Sequence, residues 1–280
     1  MVDIVVTGAN GYIGRHVIKK LMQQKIDFMA VDICTNNLPD NINKMNCNIF
    51  EEEGLYEKFG KPKVLLHLAW RDGFVHNSKN HMYDLSNHYK FITSLIDDGL
   101  QQICVLGTMH EVGYYEGKIT DETPTNPLSQ YGISKNALRK SIELYCLEHN
   151  VTYQWIRAFY IYSNDTFSNS IFSKIIKANQ EGLKKFPFTN GRNQYDFISI
   201  EELSKQIVAV INQNKINGII NCCSGVPISL GEKIEQFIEE NKLDISLEYG
   251  VYPERKYDSP IIYGENIKIS QILKEYTQND

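Results

Sequence analysis

The chain has 280 residues with 42% hydrophobic and 22% charged side chains, ordinary globular usage that excludes a disordered, collagen-like or disulfide-scaffold protein. Its 29 Lys and Arg stand against 34 Asp and Glu for a net charge of −5, so no general field draws it to nucleic acid or an anionic membrane. The length suits one large α/β domain, or a domain with an appendage.

Short β-branched runs alternate with amphipathic stretches. In chain order the expected strands are Asp3–Thr7, Asp27–Asp32, Met45–Phe50, Lys63–Ala69, Gln101–Thr108, Thr152–Ala158 and Gly218–Cys222. Helices are expected at Tyr12–Gln24, His81–Asp98 and Ser134–His149. Near-continuous apolar strands separated by helices indicate a doubly wound parallel sheet, covered on both faces. The alternation loosens through Phe159–Ile200, resumes over Glu201–Cys222, and loosens again from Ser224. Capping boxes at Ser199…Glu202 and Ser229…Glu232 predict two later helix starts. The simplest organisation is a dinucleotide-binding domain from 1–158 and 201–223. A small discontinuous substrate lobe from 159–200 and 224–280 would sit over the carboxyl edge of the sheet.

Residues Met1–Val6 enter a strand pattern directly, with no leader-like basic and apolar regions. No run reaches the ~18 apolar residues of a membrane span. Cys34, Cys47, Cys104, Cys146, Cys222 and Cys223 form no C-x-x-C pair and no cluster with zinc spacing. The expectation is reduced thiols, most of them in the core, in a cytoplasmic protein without a metal. His76, His81 and His88 lie among polar residues and read as surface or loop histidines.

The first expected strand ends in Thr7-Gly8-Ala9-Asn10-Gly11-Tyr12-Ile13-Gly14. A G-x-x-G-x-x-G run between a strand and a helix lets the backbone turn tightly and approach a pyrophosphate at the helix N-terminus. Asp32 closes the second strand, about 20 residues on, where a carboxylate accepts hydrogen bonds from an adenosine ribose. It repels a 2′-phosphate and so favours NAD, while Arg15 beside the loop leaves NADP open.

The pattern Tyr-x-x-x-Lys occurs three times, at Tyr114/Lys118, Tyr131/Lys135 and Tyr252/Lys256. The first contains Gly117 and the third Pro253, both poor in a helix. Only Tyr131 and Lys135 share a helix face by i,i+4 spacing. That face continues through Leu138, Ile142 and Tyr145, so Lys135 lies on an inward stripe where an ammonium needs a partner. A nearby ammonium and an oxidised nicotinamide would lower the phenol toward its working range. Tyr131 could then exchange a proton with a carbonyl or alcohol oxygen during hydride transfer. Thr108, at the end of the fifth strand, is the expected hydroxyl donor to that oxygen.

These motifs resemble the extended short-chain dehydrogenase/reductases, in particular the nucleotide-sugar epimerases, dehydratases and reductases. The matching residues are Thr7–Gly14, Asp32, His67-Leu68-Ala69-Trp70, Thr108, Tyr131 with Lys135, and Arg157-Ala158. The resemblance implies a Rossmann fold, bound NAD(P) and a nucleotide-diphosphate sugar held by the C-terminal lobe. It implies cofactor contacts from Gly8, Asn10, Gly11, Tyr12, Ile13, Gly14, Asp32, Ile33, Asn48, Ile49, Leu68, Ala69, Trp70, Tyr131, Lys135 and Ala158. For the substrate it implies Met109, His110, Arg192 and Arg255.

Two departures narrow it. In Gly191–Phe197 the family's G-x-x-x-R-D-F arginine is replaced by Tyr195. Met109 occupies the acidic position after the threonine of the 4,6-dehydratases, which removes the acid that elimination of water needs. The remaining motifs are most similar to bacterial reductases of dTDP- or CDP-linked 4-keto-6-deoxyhexoses, of the type that makes dTDP-fucose. The small lobe leans the same way. A 4-epimerase with tightly held NAD, or a non-catalytic dinucleotide sensor, would use much the same fold. The resemblance also implies a homodimer formed through the helices around His81–Asp98 and Ser134–His149.

Overall fold

The computed structural model describes residues 3–166, 170–253 and 258–277. The first half of the chain runs β1 (Ile4–Thr7), α1 (Tyr12–Gln23), β2 (Phe28–Asp32), β3 (Asn43–Asn46), α2 (Leu55–Lys58), β4 (Val64–His67), α3 (Asn80–Tyr83), α4 (Leu85–Asp97) and β5 (Gln102–Thr108). A 3₁₀ turn, Met109–Glu111, leads to β6 (Gly117–Ile119), α5 (Gln130–His149), β7 (Thr152–Ala158) and β8 (Tyr160–Tyr162). Then follow α6 (Ile171–Gln180), β9 (Lys185–Pro187), β10 (Gln194–Ser199), α7 (Ile200–Ile211), β11 (Gly218–Cys222), β12 (Pro227–Ser229), α8 (Leu230–Glu240), β13 (Ser246–Glu248), β14 (Ile261–Gly264) and α9 (Ile267–Thr277).

Seven strands form one parallel sheet in the order β11-β7-β5-β4-β1-β2-β3. Its direction of winding reverses between β1 and β4, which places a crevice above their carboxyl ends. Val17, Ile18 and Leu21 of α1 pack one face of the sheet with Leu203, Ile207 and Val210 of α7 and Ile269 and Ile272 of α9. Phe91, Ile92, Leu95 and Ile96 of α4 cover the other face with Leu138, Ile142 and Cys146 of α5. The expected Rossmann architecture is what the chain builds.

A second sheet, β12-β10-β14-β6 with β8 paired to β10, forms the roof. Its own apolar cluster holds Phe159, Phe172, Phe188, Phe197, Ile234 and Phe237. Two elements cross between the layers. β6, from the early part of the chain, pairs with β14. The terminal α9 leaves the roof and returns to the face of the large sheet.

Three expected spans are corrected. The strand expected at Met45–Phe50 is β3, Asn43–Asn46, whose register ends at Asp32↔Asn46. Cys47 and Ile49 are apolar because they bury themselves beneath the turn that follows, not because they extend an edge strand. The helix expected at His81–Asp98 is two helices that meet at Asp84, whose carboxylate holds the Arg71 guanidinium. The helix expected from Ser134 begins at Gln130, because the Ser129 hydroxyl caps it by accepting the Gly132 N–H at 3.1 Å. Ser199 and Ser229 cap α7 and α8 at the expected places, each accepting the N–H three residues on.

Asp196 is the pin of the roof. Fully buried on β10, it accepts the N–H groups of Ser224 (2.8 Å), Gly225 (2.9 Å) and Gly264 (3.1 Å) and the Ser224 hydroxyl (2.6 Å). It thereby ties β10 to the ends of β11 and β14. Asp196→Asn would turn an amide hydrogen toward these donors, and should cost about 3 kcal/mol. Urea denaturation checks this; an unchanged midpoint would show that the four bonds contribute little.

Candidate active site

The glycine loop lies at the crevice between β1 and β4. Gly8 has φ +73°, and a Cβ there would fall 2.5 Å from the Ala69 nitrogen. A Cβ on Gly14 would fall 2.2 Å from the Gly8 carbonyl oxygen, so α1 packs on the loop at backbone distance. Gly11 is exposed at the N-terminus of α1, which has no side-chain cap. The first-turn N–H groups, including those of Tyr12 and Ile13, are thus left for an anion.

Asp32 ends β2 beside the loop and accepts the Asn10 N–H at 2.9 Å. The Asn10 Oδ1 is buried with no hydrogen-bond partner, and the apolar Ile33 is 74% exposed at the same edge. An uncapped helix, an orphaned polar atom and a bare apolar side chain together fit the pyrophosphate, ribose and adenine of a dinucleotide. Of the other two residues expected near adenine, Asn48 accepts the Phe50 N–H through Oδ1 in its own turn and Ile49 is buried.

At the other end of the crevice the chain brings Thr108, Tyr131 and Lys135 together. Thr108 ends β5 next to Ala158 of β7. Tyr131 stands in the first turn of α5, with the Thr108 hydroxyl beside its phenol. Lys135, one turn later, is 1% exposed. Its Nζ donates to the Leu106 carbonyl at 2.6 Å and sits 3.9 Å above the Trp70 ring.

Burial lowers the Lys135 ammonium to about 7, against the opposing pull of Glu111. Burial, then the Glu111 charge, pushes the Tyr131 phenol well above its usual range, while the Thr108 hydroxyl opposes them. In the chain by itself, desolvation therefore outweighs the lowering of the phenol expected from an ammonium one turn away. The phenol is held protonated.

His81 and His88 are not surface residues; they are 1% and 2% exposed. Burial is affordable because each ring is paired. His67 joins the Thr7 hydroxyl through Nδ1 (2.7 Å) and His88 through Nε2 (2.9 Å). His88 stacks on Trp70 with ring centroids 4.3 Å apart. The Trp70 N–H donates to His81 Nδ1 at 3.0 Å, so the proton of His81 lies on Nε2, which donates to the Val75 carbonyl at 3.0 Å. This relay fixes Trp70 under Lys135 and anchors the loop that carries His76.

His76 is half-buried and stacks on the Tyr131 ring at 5.5 Å, and its carbonyl accepts the Tyr131 N–H at 2.9 Å. His110 lies against both rings. The sequence reading missed His76, His81 and His88 as site residues. α4 carries a signal for the last, since His88, Phe91, Ile92 and Leu95 share one helical stripe.

Of the expected substrate residues that are described, only His110 faces the catalytic set. Met109 is buried in the roof's apolar cluster. Arg192 is exposed on the loop before β10, and Arg255 lies outside the described residues. Tyr195 is buried against Tyr160 and Phe197. Among the described residues no cluster could hold a metal ion, and no helix is long and apolar enough to cross a membrane.

The NAD dependent epimerase/dehydratase family matches residues 4–223. The chain belongs to that family. Its members are NAD-dependent nucleotide-sugar enzymes of the dehydrogenase, epimerase and dehydratase kinds, and NAD is the cofactor that the loop and crevice fit.

The chain is 40% identical over 268 residues to dTDP-6-deoxy-L-talose 4-dehydrogenase (NAD(+)) of Aggregatibacter actinomycetemcomitans, covering 94% of this chain and 99% of that enzyme. It is 25% identical to GDP-6-deoxy-D-talose 4-dehydrogenase of the same organism, covering 96% and 90%. Its fold is similar to the crystal structure of Thermotoga maritima UDP-glucose 4-epimerase with UDP-glucose, with TM-score 0.81 at 20% identity and coverage of 96% and 92%.

The desolvated histidines make the stability of this fold pH-dependent. Burial holds His67 at about 3 and His110 at about 4, and lowers His88 further. In the unfolded chain they titrate near 6.5. Between about 6.5 and 4 the unfolded chain binds protons that the folded chain refuses, so stability falls as the pH is lowered. Each such histidine adds up to about 1.4 kcal/mol per pH unit. Thermal melting should show Tm dropping from pH 7 to pH 5, less steeply in His88→Phe. A flat profile would contradict the desolvation of the three rings.

Proposed function

We propose that the protein is an NAD(H)-linked oxidoreductase acting at C4 of a nucleotide-diphosphate 6-deoxyhexose, working as a reductase of the 4-keto sugar. The meeting of Thr108, Tyr131 and Lys135 beside the dinucleotide crevice carries the reading. The likeness to a dTDP-6-deoxy-L-talose 4-dehydrogenase over nearly the full length of both chains supports a dTDP-linked sugar of the 6-deoxy-L-hexose series. That moves the emphasis from the dTDP-fucose type of product first expected. The relative's name states the oxidation; one site lowers the barrier equally in both directions.

NAD(H), when bound, exchanges a hydride with the sugar's C4. Thr108 donates a hydrogen bond to the C4 oxygen and steadies its developing charge. Tyr131, protonated by its burial, is the acid that a carbonyl reduction needs, and passes its proton to that oxygen. Lys135, titrating about 7, faces the resulting phenolate as an ammonium and eases its formation. His110 and His76, lowered by burial and so neutral at pH 7, offer uncharged donors and acceptors to the sugar hydroxyls. Met109 brings no acid to the neighbouring carbon, which supports reduction over elimination.

The cofactor contacts are the loop residues Gly8–Gly14, Asp32, Ile33, Leu68, Ala69, Trp70 and Ala158. A large domain with a small roof, five buried free cysteines and one exposed one suit a cytoplasmic enzyme.

Incubation with NADH and dTDP-4-keto-6-deoxy-L-hexose should oxidise NADH stoichiometrically, with the D-gluco-derived ketone and the CDP, GDP and UDP analogues slower. Interconversion of C4 epimers without net cofactor change would overturn the reading in favour of an epimerase. Tyr131→Phe should lower kcat by about 10²–10⁴ while leaving NADH affinity within twofold.

A homodimer belongs to the same reading. Leu144 and Leu147 of α5 and Met82 of α3 are 67%, 76% and 43% exposed, and Met82, Leu85, Tyr89 and Leu144 line a common groove. Light scattering should give twice the 32.3 kDa chain mass, and Leu144→Glu should return it to one.

A further inference from the structure

Glu111 is a fully buried carboxylate on the 3₁₀ turn that follows Thr108. Its Oε1 accepts the Thr108 N–H at 2.8 Å and the Trp155 indole N–H at 2.7 Å. Its Oε2 lies 3.5 Å from Arg139 Nε and 3.9 Å from Arg157, both buried. The neighbours on this carboxylate are donors or cations, the surroundings of an ionised group, although burial pushes its pKa up. Thr108 and Glu111 close a reciprocal capping box, because the Thr108 hydroxyl accepts the His110 N–H at 3.2 Å. Gly107 leaves the space: a Cβ there would lie 2.0 Å from the Trp155 indole nitrogen and 2.7 Å from Glu111 Oε1.

Arg139 stands one turn beyond Lys135 and two turns beyond Tyr131 on α5. The carboxylate thus joins the end of β5, the middle of β7 and the catalytic face of α5. We propose that Glu111 is a positioning residue of the active site, a buried anion that fixes the Thr108 turn against α5 and supplies the negative potential beneath Tyr131 and Lys135. The inference rests on the reading of those three residues as the reacting set.

The sign of the effect follows from Coulomb attraction. A fixed negative charge favours the ammonium of Lys135 and disfavours the phenolate of Tyr131, and the pull of Glu111 on each has those directions. Other charges share the field. Arg139 from α5 and Arg157 from β7 face Glu111, with Glu143 beside Arg139 and Asp121 near Arg157. Tyr153 of β7 also feels the carboxylate. Lys135 in turn faces His67 of β4 and His88 of α4, both held neutral by burial.

Lys135 offers the readout, since its midpoint of about 7 is accessible. The cofactor-free protein, labelled with ¹³C-lysine, would be titrated by NMR, with the Lys135 signal assigned by its loss in Lys135→Met. Glu111→Gln keeps the side-chain shape and removes the charge; it should lower the Lys135 midpoint by about one pH unit. Arg139→Gln removes the facing cation and should raise it by about half a unit. Displacements of opposite sign are not what a merely loosened structure produces. A Lys135 midpoint unchanged in folded Glu111→Gln overturns the proposal. If Glu111→Gln does not fold, Arg139→Gln decides: a rise supports the proposal, and a fall or no change overturns it. The titration needs neither NAD nor sugar. Failure of the wild-type protein to reduce any dTDP sugar would therefore sink the proposed function without touching this result.

Discussion

Strands β1 and β4 are neighbours in the sheet, yet the chain leaves their carboxyl ends toward opposite faces, into α1 on one side and α4 on the other. The gap this leaves is bridged by bare backbone, with Gly8 so near Ala69 that one added methyl group would collide with it. That close approach sets the positions of all that follows. It fixes where the uncapped end of α1 points, and it sends Leu68, Ala69 and Trp70 along the floor of the crevice. It also brings Trp70 under the Lys135 ammonium. The histidine relay behind Trp70 then braces the floor, because His67, His88 and His81 each hold a partner through a ring nitrogen.

Much of this was legible in local sequence. β5, β7 and β11 are β-branched runs buried on both faces, and their spans follow from composition alone. The glycine loop, Asp32 and the Tyr131/Lys135 pair announce themselves through spacing, because backbone turns and i,i+4 faces are local geometry. What escaped depends on partners distant in sequence. His88 sits among polar neighbours but is buried, since His67 and Trp70, about twenty residues earlier, satisfy its ring. β6 is too short to read as a strand, and exists because β14 pairs with it from the far end of the chain. Glu111 is intermediate. Thr108 followed three residues later by a glutamate is the same cap pattern that marks α7 and α8, but its meaning comes from two arginines on other elements.

In the roof, two adjacent residues of β10 do different work. The aspartate of Tyr195-Asp196-Phe197 remains a structural pin, gathering backbone donors from two other segments. The residue before it is an aromatic ring packed on Tyr160 instead of a cation. With a net charge of −5 and no arginine there, the chain has no broad positive field for an anionic ligand.

The molecule contains only two tryptophans, and the structure puts them in very different places. Trp155 is sealed in the core with its indole N–H on Glu111. Trp70 is half-buried on the crevice floor, between a neutral imidazole and an ammonium. The chain therefore carries a built-in optical gauge of its own cofactor. Indole emission overlaps the near-ultraviolet absorption of a reduced nicotinamide and not of an oxidised one, so the emission of both indoles would fall when NADH fills the crevice, Trp155 included because Glu111 ties it to the Thr108 turn. The redox state of the bound dinucleotide becomes visible in the protein's own light, with no label attached.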